Sequence, residues 1–194
     1  MSAGPSLATN EVVIAATRAW LERAVIGLNL CPFAKAVHVK DQIRYVVCAA
    51  VTSEALLAEL ARELEYLAAA DPTVCDTTLL IHPQVLGDFA DYNEFLDIAD
   101  AAVEELGLGG VLQVASFHPD YQFADTALDD ITNYSNRSPY PTLHLLREDS
   151  IDRAVAAYPR TERIYETNMA TLKHLGHAGW RALMADEGGG AGSA

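Results

Sequence analysis

The chain is short of basic residues, short of cysteine and without any long apolar run, and each shortage removes a class of protein. Thirteen lysines and arginines stand against 27 aspartates and glutamates, a formal net charge of −14, which repels phosphate backbones and anionic lipid surfaces. Nucleic acid and membrane are therefore not expected partners. No apolar stretch reaches the length that spans a bilayer, and the opening MSAGPSLATNE has neither a basic n-region nor an apolar h-region. The three cysteines, Cys31, Cys48 and Cys75, lack CxxC spacing, and Cys48 lies inside an apolar strand-like run. No disulfide framework is indicated, and a reducing cytoplasm is the expected compartment. Also missing are GxxxxGK(S/T), a GxGxxG opening a helix, GxSxG and HExxH, so nothing signals a P-loop, a dinucleotide fold, a hydrolase elbow or a zinc-protease helix. No cofactor is called for. Gly107-Leu108-Gly109-Gly110 precedes a strand instead of following one, and reads as a helix stop.

What remains is 194 residues, enough for one domain with a sound core. Residues 1–9 and 179–194 are poor in groups that pack and are expected to be flexible ends around a single domain over 10–178. Val13, Ala16, Trp20, Ala24 and Leu28 recur at helical spacing after Asn10. Ile43–Val51 reads as a strand, and Thr52 or Ser53 can cap a helix carrying Leu56, Leu60, Leu64 and Leu67. Thr77–Ile81 is a second strand, stopped at His82-Pro83 and followed by a helix over Tyr92–Leu106. Val111–Phe117 is a third, stopped at His118-Pro119, and Pro141–Leu146 a fourth, with helices over Ser150–Ala157 and Thr161–Leu175. This alternation implies an α/β fold with a small, mostly parallel sheet of about four strands flanked by helices.

The run from Ser116 to Glu148 carries the densest chemistry. It sets two histidines, two asparagines, two arginines and three tyrosines between two apolar stretches, and a connection of roughly twenty residues is far longer than the usual four to six. Parallel second and third strands would bring His82 and His118 out at one sheet edge, the carboxyl-terminal edge where open α/β sheets bind ligands. The competing explanation is that each His-Pro only stops its strand. His144 falls mid-strand and reads as core, whereas Arg147, at the end of the fourth strand, is a candidate for the same rim. In Asn133-Tyr134-Ser135-Asn136-Arg137-Ser138-Pro139-Tyr140-Pro141, Arg137 is the natural centre of an anion clamp, with Asn133, Asn136 and Tyr140 orienting the substrate. The alternative is a turn-rich loop that bonds its own backbone. Asp125, Asp129 and Asp130 read as the solvated face of a short helix over Ala124–Tyr134.

Cys31 is followed directly by Pro32, which suits the first position of a new helix. It would then sit at the N-cap, where helix amides and nearby Lys35 favour thiolate. Cys48 and Cys75 read as structural. Ala34 stands where a second cysteine of a CPxx redox turn would be, so dithiol exchange is disfavoured.

NLCPFA, LLIHP, the run from SFHPDYQF through NRSPYPTLHLLRE, and RIYETNMATLKHLG occur together, and over about residues 10–176 the chain resembles the uncharacterised bacterial family labelled domain of unknown function 1415. The resemblance implies membership but neither a reaction nor catalytic residues. Three functions stay open on the residues themselves. The first is a small enzyme acting on an anionic or carboxylate-bearing molecule, with Cys31 as nucleophile, His118 as acid or base, and Arg137 binding the anion. The second is a non-catalytic binder using the same loop. The third is a zinc or iron site built from Cys31, His82 and His118.

Overall fold

Leu56, Leu60, Leu64 and Leu67 are fully buried, because a period near 3.6 places all four on one face of a helix. That helix, α3 (Ser53–Ala69), is capped by Thr52, whose hydroxyl accepts from the Ala55 amide. The computed structural model describes residues 8–157 and 163–185. In order, the elements are α1 (Asn10–Trp20), a π-helical continuation (Leu21–Ile26), α2 (Ala34–Val39), β1 (Ile43–Val47), α3, β2 (Thr77–Ile81), α4 (Phe89–Glu105), β3 (Leu112–Phe117), a 3₁₀ turn (Ile131–Ser135), β4 (Thr142–Arg147), α5 (Glu148–Ala157) and α6 (Ile164–Ala185).

The four strands form one sheet in the order β1-β2-β4-β3. Only β1 and β2 pair in parallel, and β4 runs antiparallel to both neighbours. The sheet is therefore mixed, not mostly parallel. The reason lies in the connections: α3 and α4 are crossovers that return the chain to the opposite edge before β2 and β3, whereas residues 118–141 contain only a 3₁₀ turn. A chain that does not cross back must re-enter the sheet from the edge it left. β2 and β3 still point the same way, with β4 between them, so His82 and His118 share an edge.

Successive strand residues alternate between two cores. Leu80, Leu143, Leu145 and Leu112 pack under α3 and α4 with Tyr92 and Phe95, while Leu79 and Ile81 meet Val13 of α1 on the other face. A third cluster joins Trp20, Leu21, Ala24 and Val25 to Leu172 and Trp180 of α6. Gly176 sits at φ 63° and ψ 173°, a kink within α6. The helix expected to end at Leu175 stops there and then resumes to Ala185, burying Trp180, so the ordered chain extends past residue 178. Residues 1–7 and 186–194, expected to be flexible, lie outside the described residues, as do Tyr158–Glu162. Among the described residues no helix is long and apolar enough to cross a membrane.

Candidate functional site

At the shared edge the two His-Pro strand ends lean on Tyr92 of α4. Its ring centroid lies 5.8 Å from that of His82 and 5.0 Å from that of His118. The Tyr92 hydroxyl donates to the Thr142 carbonyl at 2.8 Å and accepts from the Phe117 amide at 3.1 Å, closing the end of the β3–β4 ladder. Both imidazoles are wholly buried. Carbonyl oxygens only accept, so His118 must donate from Nε2 to Leu86 O (3.1 Å), while its Nδ1 accepts from the Asp120 amide (3.0 Å). Both ring nitrogens are spent on the backbone and the neutral tautomer is fixed. Burial pulls its pKa below the ordinary histidine value. His82 donates from Nδ1 to Val85 O at 3.0 Å, its Nε2 is buried with no partner among the described residues, and burial lowers its pKa to about 4. The pair thus holds the 85–86 turn, in which Leu86 sits at φ 56°. The expected acid–base role of His118 has no exposed nitrogen to work with.

The long segment spends its polar groups in the same way. Asn133 is fully buried: its Oδ1 accepts from the Phe123 amide (3.0 Å) and Thr126 Oγ1 (2.8 Å), and its Nδ2 donates to Ala127 O (2.9 Å). Asn136 donates to Ser116 O at 3.2 Å, and its backbone carbonyl accepts from the His118 amide. Arg137 donates from Nε to Tyr121 O (3.1 Å) and from Nη2 to Leu128 O (2.6 Å), with its guanidinium 4.5 Å from the Tyr134 ring centroid. The planar fork predicted to clamp an anion grips two loop carbonyls instead. Helix geometry begins only at Ile131, not at Ala124, because these side-chain bonds offer the 120s backbone an alternative to a helix.

Other expected members lie elsewhere. Arg147 is paired with Leu112, at the edge opposite the histidines; β4 is antiparallel, so its end is far from that rim. Its Nη2 donates to the carbonyls of Leu67, Ala70 and Cys75, tying off the end of α3. Tyr140 packs against the Leu79–Ile81 core. His144 is bonded through Nε2 to Thr77 Oγ1 at 2.8 Å, a core role. Cys31 does not cap a helix: α2 begins at Ala34 behind Phe33, and Cys31 occupies the preceding turn. It packs into the Trp20–Trp180 cluster on the α1 side, whereas His118 lies tilted against the rings of Phe89 and Tyr92 of α4, across the sheet. Among the described residues no group of three or more His, Cys, Asp or Glu side chains is placed to hold a metal ion.

A groove of about 370 Å³ opens between the long segment and α6. Phe123, Thr132, Ser135 and Asn136 form one wall, and Ile164, Tyr165, Asn168 and Met169 the other. Asn168 Nδ2 donates to Leu30 O at 2.8 Å, which fastens α6 to the turn that carries Cys31. Sequence reasoning assigned none of the α6 residues to a site. An asparagine followed by a methionine beside apolar positions gives no signal until the helix is placed against the loop.

Residues 12–182 match the model of the family described as Protein of unknown function (DUF1415). The chain belongs to this family. No curated protein and no solved structure matches it. In this DUF1415 member the segments NLCPFA, SFHPDYQF and RIYETNMA, distant in the chain, meet around the groove: Phe123 and Met169 line it, and Asn168 reaches Leu30.

Proposed function

We propose that this DUF1415 chain is a non-catalytic binding module whose ligand occupies the groove between residues 123–136 and α6. One observation carries the reading: a concavity of about 370 Å³, within the size range of small-molecule sites, mixes aromatic and apolar walls with a few amide and hydroxyl groups. The loop wall is held rigid by Asn133, Asn136 and Arg137, so little ordering cost is left for the ligand to meet. Catalysis by a Cys31–His118 pair is less well supported, since the two side chains pack on different faces of the sheet and both His118 nitrogens are bonded to backbone.

The test is a fragment screen of mixed charge, read by the ¹H–¹³C resonance of the Met169 methyl; only three methionines occur in the chain, so assignment is direct. At least one fragment is expected to shift Met169 saturably, and Tyr165→Ala to weaken it without lowering Tm. Fragments that bind but leave Met169 unmoved would defeat the assignment.

A further inference from the structure

The hydrogen-bond bookkeeping of the groove narrows its ligand, on the reading just given that the groove binds one. Thr132, Ser135, Asn136 and Asn168 each direct a hydrogen into the protein's own frame. The Thr132 hydroxyl donates to Asp130 Oδ1 at 2.7 Å, and the single Ser135 hydroxyl hydrogen is shared between Thr132 O and Asn136 Oδ1. Asn136 and Asn168 point their NH₂ arms at the carbonyls of Ser116 and Leu30. Since those carbonyls only accept, the amide orientations are settled by chemistry. Left over are the lone pairs of Thr132 Oγ1, Ser135 Oγ and Asn168 Oδ1, together with one N–H on each carboxamide and the Tyr165 hydroxyl. Beside them, Phe123 and Tyr165 stand edge to face with centroids 6.4 Å apart, offering π surface that attracts cations.

Charge points the same way. Behind Thr132 lies Asp130, whose carboxyl is held below the usual carboxylate range by bonds from the Thr132 amide and hydroxyl and, to a smaller degree, by Lys173 and His177 of α6, so it is ionised at neutral pH with Lys173 partly offsetting its charge. The positive end of the α6 dipole, which would favour an anion, carries Glu166 in its first turn. The chain as a whole is at −14, a field that gathers cations.

We propose that the groove takes an organic ammonium ion, its N–H groups donating to the Thr132, Ser135 and Asn168 oxygens and its apolar body lying against Tyr165, Phe123 and Met169. This reverses the anion expected from Arg137. Three probes sharing one ring separate charge from shape: benzylammonium, benzyl alcohol and benzoate, titrated into the full chain at low salt with Met169 and Tyr165 resonances as readout. Benzylammonium is expected to bind at least about fivefold more tightly than the alcohol, to weaken with added salt, and to lose about twofold to fivefold in Tyr165→Ala, the scale of an exposed cation–π contact. Alcohol or benzoate binding at Met169 as tightly as benzylammonium overturns the charge preference and leaves the groove as a site. Silence from all three probes overturns the ammonium class, while the broader fragment screen decides separately whether the groove binds anything.

Discussion

Asn133 and Arg137 share a chemistry that suits ligand recognition and a geometry that serves the loop. Asn133 makes three hydrogen bonds while fully buried, and truncation orphans the Phe123 amide, whereas the Thr126 hydroxyl keeps Phe123 O and the Ala127 carbonyl keeps the Asp130 amide. Asn133→Ala is expected to cost about 1–3 kcal/mol in urea unfolding, the cost of one buried unpaired group. Arg137→Lys separates brace from clamp. A lysine cannot serve two carbonyls from a planar fork, so the variant should lose about 1–3 kcal/mol with no ligand present; a clamp would leave unliganded stability unchanged. Accessibility also ranks the thiols. Cys48 and Cys75 are each 4% exposed and Cys31 is half-buried, so iodoacetamide should alkylate Cys31 first in the native protein, and peptide mass mapping over time checks the order.

Among the elements, those set by local rules were legible. The four α3 leucines, the Thr52 cap and the bounds of β2 follow from helical period, capping chemistry and a proline stop. What failed depends on partners distant in sequence. Nothing in TLHLLR says that β4 inserts between β2 and β3, and from that insertion follows the burial of Arg147 beneath α3. The roles of His82 and His118 were hidden for the same reason, because their partners Val85 and Leu86 belong to a turn whose position the fold decides. A helix ending at Leu175 was legible, but its resumption beyond Gly176 depends on Trp180 finding the Trp20 cluster. Arg147 ties the end of β4 to the end of α3 and to Cys75. Arg147→Ala should cost about 2–4 kcal/mol, as it strips three carbonyls, two of them in buried contacts, of a charged donor, with the loss read from the urea midpoint at unchanged m-value.

Across the whole molecule, three imidazoles are folded neutral: His82, His118 and His144 all have pKa values lowered by burial, the first and last to about 4. The unfolded chain therefore binds protons near pH 6.5 that the native chain refuses. Their contribution is fully present above about pH 6.5, falls as the pH drops toward 4, and levels off below the folded values. Urea unfolding between pH 7.5 and 4.5 should show stability declining with acid, with His144→Gln flattening part of the slope. Ion pairs are few by comparison; Arg44 with Glu63 at 2.8 Å is the best-formed among the described residues, and added salt should change stability little.

The proposed ligand site lies between the long loop and α6, away from the His-Pro rim. Intermolecular nuclear Overhauser effects from the first fragment that binds decide this, because they report direct contact independently of any variant. The account predicts cross-peaks from the ligand to the Met169 methyl and the Tyr165 ring. Cross-peaks to the Val85 and Leu86 methyls instead, beside His82 and His118, would contradict it.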